Sequence, residues 1–106
     1  MILTRYEFVK DGYRVGFLTG LDDFFTEDEV LSCSWVFERD LDCPNFDMCN
    51  TKSYFTEKGN RKFRKSIRKI QKLAESKGIL FETIVKDSSE IFDILSSDIY
   101  QVIVLD

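Results

Sequence analysis

Histidine is absent from the 106 residues, proline occurs once, and glycine and cysteine occur only five and three times. Without histidine the Ser-His and Cys-His nucleophile designs, His-ligated metals and the usual general base near neutral pH are excluded. Three cysteines are an odd number and too sparse for a disulfide-stapled secreted domain, so a reducing, cytoplasmic setting is expected. Long apolar runs are lacking as well. The longest span a few residues, as in Val102–Leu105, and nothing in them can cross a bilayer. Met1–Glu7 has no charged stretch leading into an apolar one, so no secretory signal is read there. Nor is there a glycine-rich phosphate loop: Gly12, Gly16 and Gly20 stand four apart across a hairpin, away from any strand-to-helix turn. No enzyme activity, catalytic residue or cofactor is expected.

What the chain does hold is core material. Hydrophobic residues make up 43% and aromatics 14%, with ten Phe, and 32% charged residues solvate the rest. That suits one globular domain over 1–106 and argues against disorder. Arg5–Lys10 and Tyr13–Leu18 flank Asp11-Gly12, the pair that accepts a type I′ turn, and read as a hairpin. Its register sets Phe8 opposite Val15 and Tyr6 opposite Phe17 on an apolar face. Arg5, Glu7, Val9, Arg14, Gly16 and Leu18 fall on a mixed one.

Thr19–Phe25 reads as a connection. Thr26-Glu27-Asp28-Glu29 is a capping box opening a helix to about Asp40, with Val30, Cys33, Ser34 and Phe37 inward and Leu31 and Trp35 on a flank. Leu41–Thr51 is a loop, Lys52–Phe55 a short strand, and a helix starts between Thr56 and Asn60 and stops at Gly78. Ile79–Lys86 is a strand. Asp87-Ser88-Ser89-Glu90 caps a short helix holding Ile91, Phe92, Ile94 and Leu95, and Tyr100–Leu105 is a well-covered strand. The expected architecture is α+β, order β-β-α-(β)-α-β-α-β, with two to three helices on a mixed sheet of four to five strands. The last two strands could be joined by a parallel crossover or an antiparallel return. The expected core comprises Tyr6, Phe8, Val15, Phe17, Phe37, Phe63, Ile67, Ile70, Phe81, Val102 and Val104.

Net charge is −4, but it is segregated. Residues 1–51 carry four basic and eleven acidic side chains, residues 52–77 ten and two, and residues 78–106 one and six. On a wheel of about 100° per residue, Ile67, Ile70 and Ala74 lie within about 40° of Phe63. Lys58, Arg61, Lys62, Arg64, Lys65, Arg68, Lys69 and Lys72 fall on the other side. Solubilising helices mix signs at i and i+4, because like charges there repel. Arg61/Lys65/Lys69 and Arg64/Arg68/Lys72 are like-charged ladders. Arg61, Lys62, Arg64, Lys65, Arg68, Lys69 and Lys72 are therefore the candidate binding face, for nucleic acid or an acidic protein surface. A plain solvated face is the competing account, and so is compensation by Glu27, Asp28 and Glu29. The overall acidity and the lack of a zinc-finger, helix-turn-helix or RNP-type pattern weigh against a dedicated nucleic-acid binder.

Cys43 and Cys49 lie near Asp40, Asp42 and Asp47, but a zinc site would need a fourth ligand and tighter spacing. Asp40-Leu41-Asp42 lacks the third acid, the glycine and the closing Glu of a calcium loop. No metal is expected, and capping and solvation account for Asp22-Asp23 and Glu27–Glu29.

The stretches Asp11-Gly12-Tyr13-Arg14-Val15-Gly16-Phe17-Leu18-Thr19-Gly20-Leu21-Asp22-Asp23 and Lys52-Ser53-Tyr54-Phe55-Thr56-Glu57-Lys58-Gly59 carry a resemblance. The chain resembles small uncharacterised proteins encoded on conjugative transposons or phage-like mobile elements of Gram-positive bacteria. The resemblance implies an accessory role on a mobile element and assigns no active site. The expected function is a non-enzymatic binding or accessory protein whose basic helix, about 58–77, meets an anionic partner. The alternative is an interaction or inhibitor module acting through the acidic N-terminal half, or a homo-oligomer with no nucleic-acid role. No membrane partner is expected.

Overall fold

The computed structural model describes residues 1–31, 51–90 and 94–105. Strand β1 (Ile2–Lys10) turns at Asp11 and Gly12 into β2 (Tyr13–Gly16). Both turn residues have positive φ, 51° and 82°, as a type I′ turn requires, and Phe8 pairs with Val15. β2 ends two residues earlier than expected, because Phe17–Phe24 forms helix α1 in place of the expected connection. Phe17, Leu21 and Phe25 recur every four residues and are all buried, a helical stripe whose first member also fits the strand's alternation. Gly20 lets α1 lie directly on β1, since a β-carbon there would stand 2.1 Å from the Phe8 ring.

Helix α2 opens at 27 and is described to 31. Its capping box forms: the Thr26 N–H donates to Glu29 Oε1 at 2.9 Å, and the Glu29 N–H to Thr26 Oγ1 at 3.3 Å. The continuation to Asp40, with Cys33, Ser34, Trp35 and Phe37, lies outside the described residues, as do the Cys43–Cys49 loop and Ile91 and Phe92. Strand β3 (Thr51–Phe55) leads to helices α3 (Glu57–Lys62) and α4 (Arg64–Ser76). Gly78, at φ 72°, closes α4 as expected: its N–H reaches Glu75 O at 3.1 Å and the Ile79 N–H reaches Ala74 O at 2.9 Å. Strand β4 (Leu80–Asp87), a 3-10 turn (Ser88–Glu90), strand β5 (Ile94–Ser97) and strand β6 (Gln101–Leu105) follow.

The class is α+β. The six strands make one sheet in which every pairing is antiparallel, where a mixed sheet of four to five strands was expected. β1 lies next to the β4 edge and pairs with three strands. β4 runs along one edge of it over eight residue pairs, while the other edge meets β2 at Glu7–Lys10 and β3 at Thr4. From β3 the sheet continues through β6 to β5. β4 and β6 run in opposite directions and never adjoin, so neither expected connection between them exists. The extra strand arises where a short helix was expected. The Asp87 cap forms, accepting the Ser89 N–H at 3.0 Å at the 3-10 turn, and Ile94–Ser97 pairs on β6.

The helices cover one face of the sheet. Tyr6, Phe8, Phe17, Leu21, Phe25, Phe55, Phe63, Ile67, Ile70, Ala74 and Ile79 pack there. Ring pairs such as Tyr6–Phe81 at 5.3 Å and Phe8–Phe17 at 5.8 Å add specificity to area burial. Val15 and Phe81 are half-buried at the rim of this cluster instead of fully enclosed. On the opposite face Leu3, Tyr54, Val102 and Val104 form a second buried cluster.

A candidate cationic interface

Thr56 sets the start of the basic segment. Its Oγ1 accepts the Gly59 N–H at 3.0 Å as the N-cap of α3 and donates to Ile99 O at 2.6 Å, while its N–H reaches Tyr100 O at 2.9 Å. α3 is thereby tied to the β5–β6 turn. Gly59 permits the closeness, because a β-carbon there would lie 2.1 Å from Tyr100 O. Phe63, at φ −98° and ψ 10°, is a joint between α3 and α4. Hydrogen bonding nevertheless runs through it, from Phe63 N to Gly59 O at 3.0 Å and from Ile67 N to Phe63 O at 2.9 Å. The wheel therefore holds across the joint, and Phe63, Ile67, Ile70 and Ala74 are at most 5% exposed.

Arg61, Lys62, Arg64, Lys65, Arg68, Lys69 and Lys72 are all exposed on the far side, as is Lys58. Lys62 Nζ lies 4.9 Å from the Tyr100 ring centroid, a cation–π contact at one end of the face. Glu29 of α2 reaches this segment, its Oε1 pairing with Lys77 Nζ at 3.0 Å. The Thr26 N–H and then Lys77 hold the Glu29 carboxyl below its ordinary pKa. Among the described residues, no carboxylate stands within ion-pair distance of Arg61, Arg64, Lys65, Arg68, Lys69 or Lys72. Among the described residues, the Glu29 pair thus engages Lys77, and both ladders are exposed.

The opposite face carries a charged network. Glu7 and Glu82 stand directly across from one another on β1 and β4, a like-charge pair that is unfavourable unless bridged. Arg14 Nη1 bridges them, donating to Glu7 Oε1 at 2.7 Å and Glu82 Oε2 at 2.6 Å. Arg5 Nε donates to Glu7 Oε2 at 2.7 Å, and its Nη1 crosses to Ser53 O at 3.2 Å. That crossing fills the gap where neither β2 nor β3 pairs with β1. Burial alone would raise the Glu7 pKa, but the bonds from Arg14 and Arg5 outweigh it and hold the carboxyl below its ordinary value. The carboxylates of Glu82 and Glu7 in turn hold Arg14 more firmly protonated.

A groove of about 680 Å³ opens over this network, lined among others by Arg5, Glu7, Arg14, Lys52, Tyr54 and Lys86. Its carboxylate is spent on its own arginines, so the arrangement locks strands together. The hairpin pattern places Arg5, Glu7 and Arg14 on one face, but only the pairing with β4 brings in Glu82. Among the described residues, no three Cys, Asp or Glu side chains gather as a metal site, and no helix is long and apolar enough to cross a membrane. Compared with protein-family models, curated proteins and solved structures, the chain finds no match.

Proposed function

We propose that the chain is a non-enzymatic accessory protein that engages an anionic partner, nucleic acid or an acidic protein surface, through the α3–α4 face. The observation that carries this reading is the pair of like-charged ladders, exposed and without a carboxylate in reach among the described residues. Holding like charges at i and i+4 costs a few tenths of a kcal/mol per pair, roughly 0.2–0.5, and a polyanion removes that cost. Ladder members four apart lie about 6 Å along the helix axis, a row of point charges suited to phosphates or to a line of carboxylates. The resemblance and the sparse cysteines support a cytoplasmic setting in the service of a mobile element.

The test is a charge-reversed variant with Arg61, Lys65, Arg68 and Lys72 all changed to Glu, studied by fluorescence anisotropy on labelled duplex DNA and single-stranded RNA. The variant keeps its far-UV spectrum, since these side chains point away from the buried stripe. Parent affinity for the polyanion falls about a hundredfold between 50 and 200 mM salt if about four phosphates are neutralised, and the variant shows no such binding. Parent protein that ignores both nucleic acids at low salt, and likewise a poly-glutamate probe, refutes the reading.

A further inference from the structure

Among the described residues, the edge of the sheet formed by β4 is open and regular. Natural edge strands are blunted by brevity, charged side chains, proline, bulges or covering elements. β5, at the other side of the sheet, is four residues long and bulged between Ile94 and Ser96. β4 runs eight residues with no break in register from Ile2↔Asp87 to Val9↔Leu80, and contains no proline. Thr83 is exposed, and Leu80 and Val85 are 56% and 58% exposed. The side of β4 away from β1 meets no strand among the described residues.

Which backbone groups face outward follows from the ladder. The Ser88 N–H donates to Met1 O at 2.8 Å, which makes Met1–Ser88 a hydrogen-bonded pair. Such pairs alternate in an antiparallel ladder, so residues 80, 82, 84 and 86 bond to β1. Phe81, Thr83, Val85 and Asp87 then direct their N–H and C=O groups to the open edge. Another strand can pair there only if those odd-numbered residues are its hydrogen-bonding partners.

We infer that a second copy of this chain pairs along β4 about a two-fold axis centred on Ile84. In that register Thr83 pairs with Val85 of the other copy, and Phe81 with Asp87, odd with odd as the ladder demands. Glu82 then stands opposite Lys86 twice, in the non-hydrogen-bonded positions where side chains approach most closely. Centring on Thr83 places Lys86 against Leu80 and Glu82 against Ile84. Centring on Val85 places Lys86 against Ile84. Only the Ile84 register matches charge with charge, so the self-complementarity of β4 selects both the partner and the alignment. The interface is isologous and closes after two copies. This inference is independent of the proposed function.

The experiment is sedimentation velocity of the full chain from micromolar to millimolar concentration. The expected result is a concentration-dependent species of twice the 12.5 kDa chain mass. Thr83→Pro removes an outward N–H that β1 does not use, a position where an edge strand tolerates proline, so the variant stays folded by circular dichroism and sediments as a monomer. Lys86→Glu sets acid against acid twice and weakens self-association at least about tenfold. Glu82→Lys sets base against base, and mixing these two variants restores a dimer, now of unlike chains. A parent that stays monomeric throughout overturns the inference. So does a dimer that Thr83→Pro or Lys86→Glu leaves unchanged. If loss of the Arg14 contact prevents Glu82→Lys from folding, the other two variants still decide.

Discussion

Glu7 is the residue whose replacement should cost the fold most for the fewest atoms changed. Its side chain is 8% exposed, and it pairs at 2.7 Å with Arg5, whose side chain is 11% exposed, and at 2.7 Å with Arg14, which is half-exposed. Glu7→Gln keeps the shape, removes the charge and keeps one acceptor oxygen, but turns an NH2 donor toward one of the two guanidinium groups, Arg5 being the enclosed one. Breaking a buried pair costs about 3–5 kcal/mol. Arg14 can turn to Glu82 and water, so about 2–4 kcal/mol is expected here. For a domain of this size that lowers Tm by roughly 10–20 °C. Arg14→Gln is the comparison, expected to cost less than Glu7→Gln: it leaves Glu7 and Glu82 unbridged, but Arg14 is half-exposed and Arg5 still meets Glu7.

Acid provides a second measurement on the same pair of proteins. The Glu7 carboxyl titrates below its ordinary value when folded, so its contribution is complete above the unfolded pKa and is lost as pH falls through the folded one. The gap in stability between parent and Glu7→Gln should therefore be widest near neutrality and narrow on acidification below about pH 4. Glu29 and Asp87 are lowered as well, but they are common to both proteins and cancel in the difference. Differential scanning calorimetry across pH measures it. If Glu7→Gln melts within a degree or two of the parent, or the gap stays constant with pH, the network is not holding β1, β2 and β4 together.

Phe63→Ala should cost about 3–5 kcal/mol in urea unfolding, because Phe63 is 1% exposed and its ring meets Phe55 at 5.9 Å and Tyr100 at 5.7 Å. An unshifted midpoint would mean that α3–α4 docks by another face. Gly59→Ala should destabilise despite alanine's helix preference, since the new methyl meets a backbone carbonyl that cannot turn aside. A rise in Tm instead, as propensity alone predicts, would show that α3 does not approach Tyr100 so closely.

Local chemistry was readable wherever neighbours in sequence decide it. Asp11-Gly12 made its turn, Thr26–Glu29 its capping box and Gly78 its stop, and the stripe Phe63, Ile67, Ile70 and Ala74 is buried as its spacing predicts. What misled were segments with two compatible periods. Phe17 fits both the alternation of β2 and the four-residue spacing of α1, and tertiary packing on Phe8 settled the contest for the helix. Ile94–Ser97 looked helical beside a genuine cap, yet the unpaired flank of β6 offered a ladder that a short exposed helix could not match. The cationic face was legible from spacing alone, because a helix carries its charges on itself. The Arg5–Glu7–Arg14–Glu82 network was not, because it exists only once Glu82 arrives opposite Glu7.

The pairing of β1 with three strands also has a temporal side. Its partners across the longer edge, from Val9 with Leu80 to Ile2 with Asp87, are separated by 71 to 85 residues of chain. Pairings so remote make folding slow relative to helical domains of equal size. On a ribosome adding about 5–20 residues per second, β4 emerges roughly 4–14 s after β1 has left. Throughout that interval α1, β3, α3 and α4 are made and can pack on β1, but one whole edge of β1 stays vacant. Until β4 arrives, any strand of suitable pattern nearby competes with it for that edge.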